Sequence, residues 1–333
     1  MIDTAGESNS LSTFVVTGGA GFIGSRIAGH LAQIGHDVRI LDNLSSRGAD
    51  RRARSLLSYP EISLVTADIR DERVCRRICR GADYVLHLAA DPSVARSIEM
   101  PGASVQVNVE GTANMLDAAV KSGSVRRLVF SSTCAIYGDS VSGAIRESAT
   151  PDPISPYAAS KLACESFCHT FSRLHGLETV ALRYFNVYGT GQDPHGAYAA
   201  AIPRFMERIA KGQALIIYGD GKQSRDFVHV DDVVAANILA ATTSRDVNRR
   251  VLNIGSGDRV SLNELIRTLE GVAGRPLDIV HEPERRGDIR HSHADISLAR
   301  TLLGFQPAVS LKDGLAEALV AYCGETRVYA MVS

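Results

Sequence analysis

The chain has 333 residues, more than one usual domain holds, so a large domain with a smaller lobe is expected. Hydrophobic residues make up 45% and charged residues 22%, and a formal net charge of −1 leaves no electrostatic footprint for nucleic acid or an acidic membrane surface. No apolar run approaches the ~20 residues of a membrane span, and residues 1–10 lack the basic start and apolar core of a secretory signal, reading instead as a flexible polar tail.

Six cysteines in a chain this long do not make a disulfide framework, so a reducing cytoplasm is the expected setting. Cys75 and Cys79, like Cys164 and Cys168, share a helix face at i,i+4 and read as small buried hydrophobes. No metal site is expected. The arginine clusters 51, 52, 54 and 76, 77, 80 read as solvated faces.

Short apolar runs then alternate with helical patterns. Phe14–Thr17, Asp37–Leu41, Ile62–Val65, Tyr84–Leu88 and Leu128–Ser131 read as buried strands, each followed by enough chain for a crossover helix. Thr179–Arg183 continues the series and Val251–Ile254 returns to the same sheet. The rhythm breaks after Tyr184, where Gly189–Ala197 reads as a loop. The expected fold class is α/β: a Rossmann-type doubly wound parallel sheet with a smaller mixed α/β lobe. Residues 11–184 and about 232–270 are assigned to the first part, and about 185–231 and 271–333 to the second. Ligands should sit at the carboxyl ends of the strands, between the two.

The strongest local signal begins at Thr17: T-G-G-A-G-F-I-G, directly after the first strand and opening the helix Phe22–Ile34. Gly18 permits the tight turn and Gly21 admits a pyrophosphate close to the backbone. Gly24 lets the helix pack on the sheet, its N-terminus facing the phosphates. Asp42 closes the second strand, eighteen residues after Gly24. A carboxylate there accepts hydrogen bonds from an adenosine ribose and repels a 2′-phosphate, which favours NAD over NADP; a solvated strand-end Asp is the alternative.

Tyr157 and Lys161 form Y-A-A-S-K, four residues apart on one face of a helical segment. A tyrosine of pKa about 10 is a poor base at neutral pH, but a nearby ammonium and an oxidised nicotinamide both favour the phenolate. Thr133 follows the strand Leu128–Ser131, where its hydroxyl can bridge a substrate oxygen and Tyr157; packing or capping is the alternative.

With these motifs in place, the chain resembles the extended short-chain dehydrogenase/reductase family, and within it the UDP-hexose 4-epimerases, especially the branch accepting UDP-N-acetylglucosamine. The similarity runs from about residue 12 to 320 through the glycine loop, L-D-N-L, A-D-I-R, H-L-A-A, N-V-E-G-T, S-S-T, Y-A-A-S-K and R-Y-F-N-V-Y-G. More specific are Q-D-P-H-G-A-Y-A-A-A-I-P, S-R-D-F-V-H-V-D-D-V and R-R-G-D-I-R-H-S-H-A-D.

The resemblance implies NAD held also by Phe22, Ile23, Asn43, Asp68, Ile69, Leu88, Ala89, Ala90, Asn108, Ser131 and Tyr184. It implies a UDP-sugar held by Thr133, Cys134, Asn186, Arg204 and Tyr218, with Arg225 and Arg285 on the diphosphate and Asp288 on the uridine ribose; guanidinium groups suit phosphate oxygens. Ser292 aligns with the position that limits the sugar's 2-substituent, and its small side chain implies room for an N-acetyl group. The implied reaction is reversible inversion at carbon 4, with Tyr157, Lys161 and Thr133 as the catalytic set. Relatives pair helices near 104–120 and 157–174 with their copies, so a homodimer is the expected assembly.

Sugar 4,6-dehydratases carry an Asp-Glu pair after the Thr, where this chain has Cys134 and Ala135. That argues strongly against a 4,6-dehydratase. The 5,6-dehydratases acting on UDP-N-acetylglucosamine keep Thr-Cys but add a Glu that Ala135 removes, so a thiol would have to take over acid/base work. UDP-glucuronate 4-epimerases have Thr where Asn186 stands and an Arg in the next loop, occupied here by Gln192-Asp193-Pro194; Arg96 or Arg204 remains as a substitute. Decarboxylation of UDP-glucuronate lacks its acidic residue after Thr133. A silent NAD-binding regulator is the alternative from another class.

Overall fold

The computed structural model describes residues 11–139, 143–195, 200–284 and 290–332, with side chains to residue 324. Strands β1 (Thr13–Thr17), β2 (Asp37–Asp42), β3 (Ile62–Thr66), β4 (Tyr84–His87), β5 (Arg127–Thr133) and β6 (Glu178–Tyr184) are joined by helices. These are α1 (Phe22–Gln33), α2 (Ala49–Leu56), α3 (Glu72–Cys79), α4 (Val94–Glu99), α5 (Pro101–Val105), α6 (Gly111–Ser122) and α7 (Pro156–His175). Then follow β7 (Asn186–Tyr188), α8 (Ala201–Ala210), β8 (Leu215–Tyr218), β9 (Ser224–Arg225), β10 (Phe227–His229) and α9 (Val230–Thr242). The chain closes with β11 (Arg250–Ile254), β12 (Val260–Ser261), α10 (Leu262–Ala273), β13 (Ile279–Glu282), α11 (Ser297–Leu303) and α12 (Leu311–Val332).

Seven strands make one sheet in the order β11-β6-β5-β4-β1-β2-β3, every pair parallel. This is the Rossmann-type fold the alternating pattern predicts. Parallel strands buried on both faces lack a polar side, and β4 reads Tyr-Val-Leu-His with all four residues buried. The pleat sends alternate residues to opposite layers: Phe14 and Val16 join the core with α1 and α9, and Val15 joins the core with α3 and α6. The strand order reverses between β1 and β4, which opens the crevice where such sheets take ligands.

Two details around the sheet differ from the sequence expectation, and the division between the two parts differs as well. β5 extends two residues past Ser131, so Thr133 is its last residue, held in register opposite Tyr184 of β6. The segment near 104–120 is interrupted by a π-helical turn, Gln106–Glu110, between α5 and α6. Such turns recur beside functional sites, and this one carries Asn108.

A separate apolar core gathers Tyr188, Phe205, Ile217, Leu265, Leu269 and Leu315 from β7, α8, β8, α10 and α12. The β8–β13 pair closes one side of it. This corrects the expected division near residue 270. α10 (Leu262–Ala273) packs into the smaller core, although most of it is expected with the sheet. α11 packs Ala299 and Leu303 against the core on the α1 side of the large sheet, although it is expected in the lobe. Among the described residues no helix is long and apolar enough to cross a membrane.

Candidate active site

The glycine turn is fixed by close approach. Gly18 takes φ +67, and a Cβ there would stand 2.8 Å from the Ala89 nitrogen; a Cβ on Gly24 would overlap the Gly18 carbonyl. Neither position admits another residue at low cost. Gly21 donates to the Gly18 carbonyl (2.9 Å), and α1 starts there with no side-chain cap and no acidic residue in its first turn. Its N–H groups, those of Phe22 and Ile23 among them, are left for an anion. That uncapped N-terminus over a glycine cradle fits a dinucleotide pyrophosphate.

Around this turn the other expected cofactor residues converge. Asp42 is nearly buried and accepts from the Ala20 nitrogen (2.9 Å) and the Leu44 nitrogen (2.7 Å), which aims its carboxylate at the turn. Asn43 donates to Asp68 (3.1 Å), and Arg70 clamps the same carboxylate at 2.9 and 2.8 Å, holding its pKa down at about 2. Ile69 is buried beneath Gly111. Leu88 follows β4, and the Ala89 nitrogen donates to the Thr17 hydroxyl (3.1 Å). Asn108 accepts from the Asp91 nitrogen, just past Ala90, and donates to Ser160 on α7 at 2.9 Å. Its buried amide thus ties the cofactor side to the helix between Tyr157 and Lys161.

At the neighbouring strand end stand the candidate reacting groups. Ser155 caps α7 and Pro156 occupies its first turn, so Tyr157 enters the cleft at the helix start. The Thr133 hydroxyl accepts from the Ala135 nitrogen (3.2 Å) and stands close enough to the Tyr157 phenol to favour its ionised form. Burial pushes that phenol up to about 12, against the smaller, opposing influence of Thr133. Lys161 is buried, donates to the Ser131 carbonyl (2.8 Å) and lies 4.8 Å from the Phe130 ring; desolvation brings its ammonium down to about 8. Tyr184 sits behind this wall, with its hydroxyl given to Asn237 at 2.9 Å. Without a further positive charge the phenol stays protonated at neutral pH.

Cys134 adjoins Ser292, which is nearly buried, and burial raises the thiol to about 11 against the smaller, opposing influence of Ser292. A thiol so placed is not a thiolate base at neutral pH.

Asn186, Arg204, Tyr218 and Arg225 line a single cavity of about 710 Å³ between β7, α8, β8 and β9, a volume suited to a nucleotide-sized ligand. Arg225 follows Ser224, whose carbonyl accepts from the Ser292 nitrogen (3.1 Å), and Ser292 adjoins Cys134, so the cavity lies next to the Thr133–Tyr157 corner. Arg285 and Asp288 lie outside the described residues. Of the residues named as substitutes for a carboxylate partner, Arg204 lines the cavity, whereas Arg96 pairs with Asp91 at 3.4 Å.

The sequence reading missed Arg208, Gln223 and Phe227, which line the same cavity. Arg208 stands one helical turn after Arg204, and Gln223 and Phe227 each lie two residues from Arg225. Helix spacing and strand alternation are the signals that find them.

A family model described as the NAD dependent epimerase/dehydratase family matches residues 14–255. A UDP-glucose 4-epimerase of Mycolicibacterium smegmatis is 37% identical, over 91% of this chain and 96% of that protein. Among solved structures, a UDP-N-acetylglucosamine 4-epimerase from Methanobrevibacter ruminantium, in complex with UDP-N-acetylmuramic acid, has TM-score 0.89 and 36% identity, covering 95% of this chain and 99% of that one. A UDP-glucuronic acid 4-epimerase from Bacillus cereus, with UDP-glucuronic acid and NAD bound, has TM-score 0.85 and 30% identity, covering 94% and 99%.

Proposed function

Because the chain belongs to the NAD dependent epimerase/dehydratase family, we propose that it is a UDP-sugar 4-epimerase whose main substrates are UDP-N-acetylglucosamine and UDP-N-acetylgalactosamine, with UDP-glucose and UDP-galactose also turned over. Its cofactor is NAD. The observation that carries the reading is the approach of Thr133 to Tyr157 beside the glycine cradle, with Cys134 and Ala135 next in line and no carboxylate after Thr133.

In this mechanism Tyr157 takes the proton of the sugar's 4-hydroxyl and later returns it. Thr133 steers the transfer, since its hydroxyl stands close enough to act on the phenol. When bound, NAD supplies reversible hydride acceptance at carbon 4 and a positive charge that lowers the phenol's pKa. Gly18, Gly21, Gly24 and the start of α1 would hold its pyrophosphate, Asp42 its adenosine ribose and Lys161 its nicotinamide ribose. Asn186, Arg204, Tyr218 and Arg225 hold the nucleotide half of the substrate in the cavity they share. Arg285 and Asp288 keep the roles that the family resemblance gives them.

Ser292 supports the N-acetylated sugars, because a serine against Cys134 leaves the volume that a larger side chain would fill. UDP-glucuronate is the second reading. Arg204 favours it, while Asp193, placed in the loop where a cation would meet the acid, disfavours it. Elimination to an exo-glycal is disfavoured by the raised Cys134 thiol.

Assembly as a homodimer is part of the proposal, supported by exposed Met100 and Val105 near α5 and by Phe167 and Leu174 on α7. The deciding experiment incubates the purified protein separately with UDP-N-acetylglucosamine, UDP-glucose and UDP-glucuronate, without added cofactor, and follows products by proton NMR. Fastest galacto product from the N-acetyl sugar is expected. Fastest turnover of UDP-glucuronate, or new alkene protons, overturns the assignment.

A further inference from the structure

Behind the reacting corner lies an ion pair that the proposed chemistry does not use. Arg183 of β6 meets Glu165 of α7 with two hydrogen bonds, 2.9 and 2.7 Å, and both side chains are almost wholly buried. Ser132 donates to the same carboxylate at 2.5 Å. The other face of the Arg183 guanidinium lies 4.7 Å from the Tyr137 ring, in the turn that follows Thr133.

A buried ion pair is weak evidence of stabilisation, since apolar residues of similar volume often serve as well or better. Its best-attested use is to fix register, and the placement here suits that use. Glu165 is one helical turn past Lys161 and two past Tyr157, on the side of α7 facing the sheet. Ser132 stands between Ser131, whose carbonyl receives Lys161, and Thr133, which adjoins Tyr157. Arg183 is the register partner of Ser132 across β5 and β6. The carboxylate therefore joins the helix that carries two reacting groups to the strand that carries the third. Sliding α7 by one residue's rise, about 1.5 Å, would break the fork geometry, whereas an apolar contact would tolerate it.

We infer that Glu165, held by Arg183 and Ser132, is a positioning device that sets the distance between Thr133 on β5 and Tyr157 and Lys161 on α7. The inference rests on the assignment of those three residues as the catalytic set.

The test replaces the pair by apolar residues in a double variant, Glu165→Leu with Arg183→Met, and separately makes Ser132→Ala, which removes only one hydrogen bond. Melting temperature and bound NAD are measured beside kcat and KM for UDP-N-acetylglucosamine and UDP-glucose. The double variant is expected to melt and bind NAD like the wild type and keep KM within about threefold, but to lose roughly 10- to 100-fold in kcat, as small misplacements of reacting groups do. Ser132→Ala is expected to lose kcat several-fold with melting and KM unchanged. Wild-type kcat in a folded, NAD-loaded variant overturns the inference. So does a kcat loss no larger than the loss of NAD-bound protein, which marks the pair as merely structural. If the double variant does not fold, Ser132→Ala decides by the same criteria. Failure of the wild type to epimerise any sugar would instead overturn the functional assignment.

Discussion

His87, in the last position of β4, gives a prediction whose size follows from its hydrogen bonds. It is wholly buried, with Nδ1 2.7 Å from the Thr17 hydroxyl and Nε2 3.0 Å from the Thr112 hydroxyl. Thr112 donates its own proton to the Asn108 carbonyl (2.6 Å), so it accepts from His87, and Nε2 carries the ring proton. Nδ1 then accepts from Thr17, which in turn accepts from the Ala89 nitrogen. Every proton in the chain is assigned, and a second proton on the ring would face the Thr17 hydrogen. Burial, and secondarily the Lys161 charge, bring the His87 pKa down to about 3.

The sign follows. Below the unfolded value near 6.5 the unfolded chain binds a proton that the folded chain refuses, so stability present at pH 7 is lost as pH falls toward 3. The slope is about 1.4 kcal/mol per pH unit, which makes a loss of about 2.7 kcal/mol by pH 4.5. His87→Gln keeps one acceptor and one donor but does not titrate. Urea unfolding of both proteins at pH 7.5 and 4.5, at one NAD concentration because bound ligand adds stability, isolates the residue. The wild type should lose about 2–3 kcal/mol more than the variant over that interval. Equal losses would refute the buried neutral imidazole.

Other outcomes follow from the same geometry. Tyr157→Phe should lower kcat by roughly 10²- to 10⁴-fold while UDP-sugar affinity, read by calorimetry, stays within a few fold. Gly24→Ala drives a methyl into the Gly18 carbonyl and should yield protein with little bound NAD and a depressed melting temperature; wild-type NAD content would refute the cradle. Ser292→Tyr should shift kcat/KM from the N-acetylated sugar toward UDP-glucose by roughly 10- to 100-fold, and an unchanged ratio would remove Ser292 from the sugar site.

Much of the fold was legible because parallel strands buried on both faces write themselves as short apolar runs, and all seven sheet strands fall where those runs lie. The glycine turn and the Tyr-x-x-x-Lys pair were legible because steric and proton-transfer demands act over a few adjacent residues. Thr133 was read just past its strand instead of at its end, since β-ladder length is set by the partner strand and not by local pattern. The pairing of Glu165 with Arg183 was not legible. Eighteen residues apart, one on a helix and one on a strand, each alone has the look of an ordinary surface charge. The hydrogen-bond chain through His87 and the π-turn at Asn108 likewise depend on packing between segments distant in sequence.

The central claim is inversion at carbon 4 with the carbon-bound hydrogen kept inside the enzyme. UDP-N-acetylglucosamine deuterated at carbon 4, incubated in ordinary water and analysed by NMR and mass spectrometry, tests it most directly. A galacto product that keeps its deuterium at carbon 4 through many turnovers is expected. Washout of the label into solvent, or product formed without inversion, would contradict it.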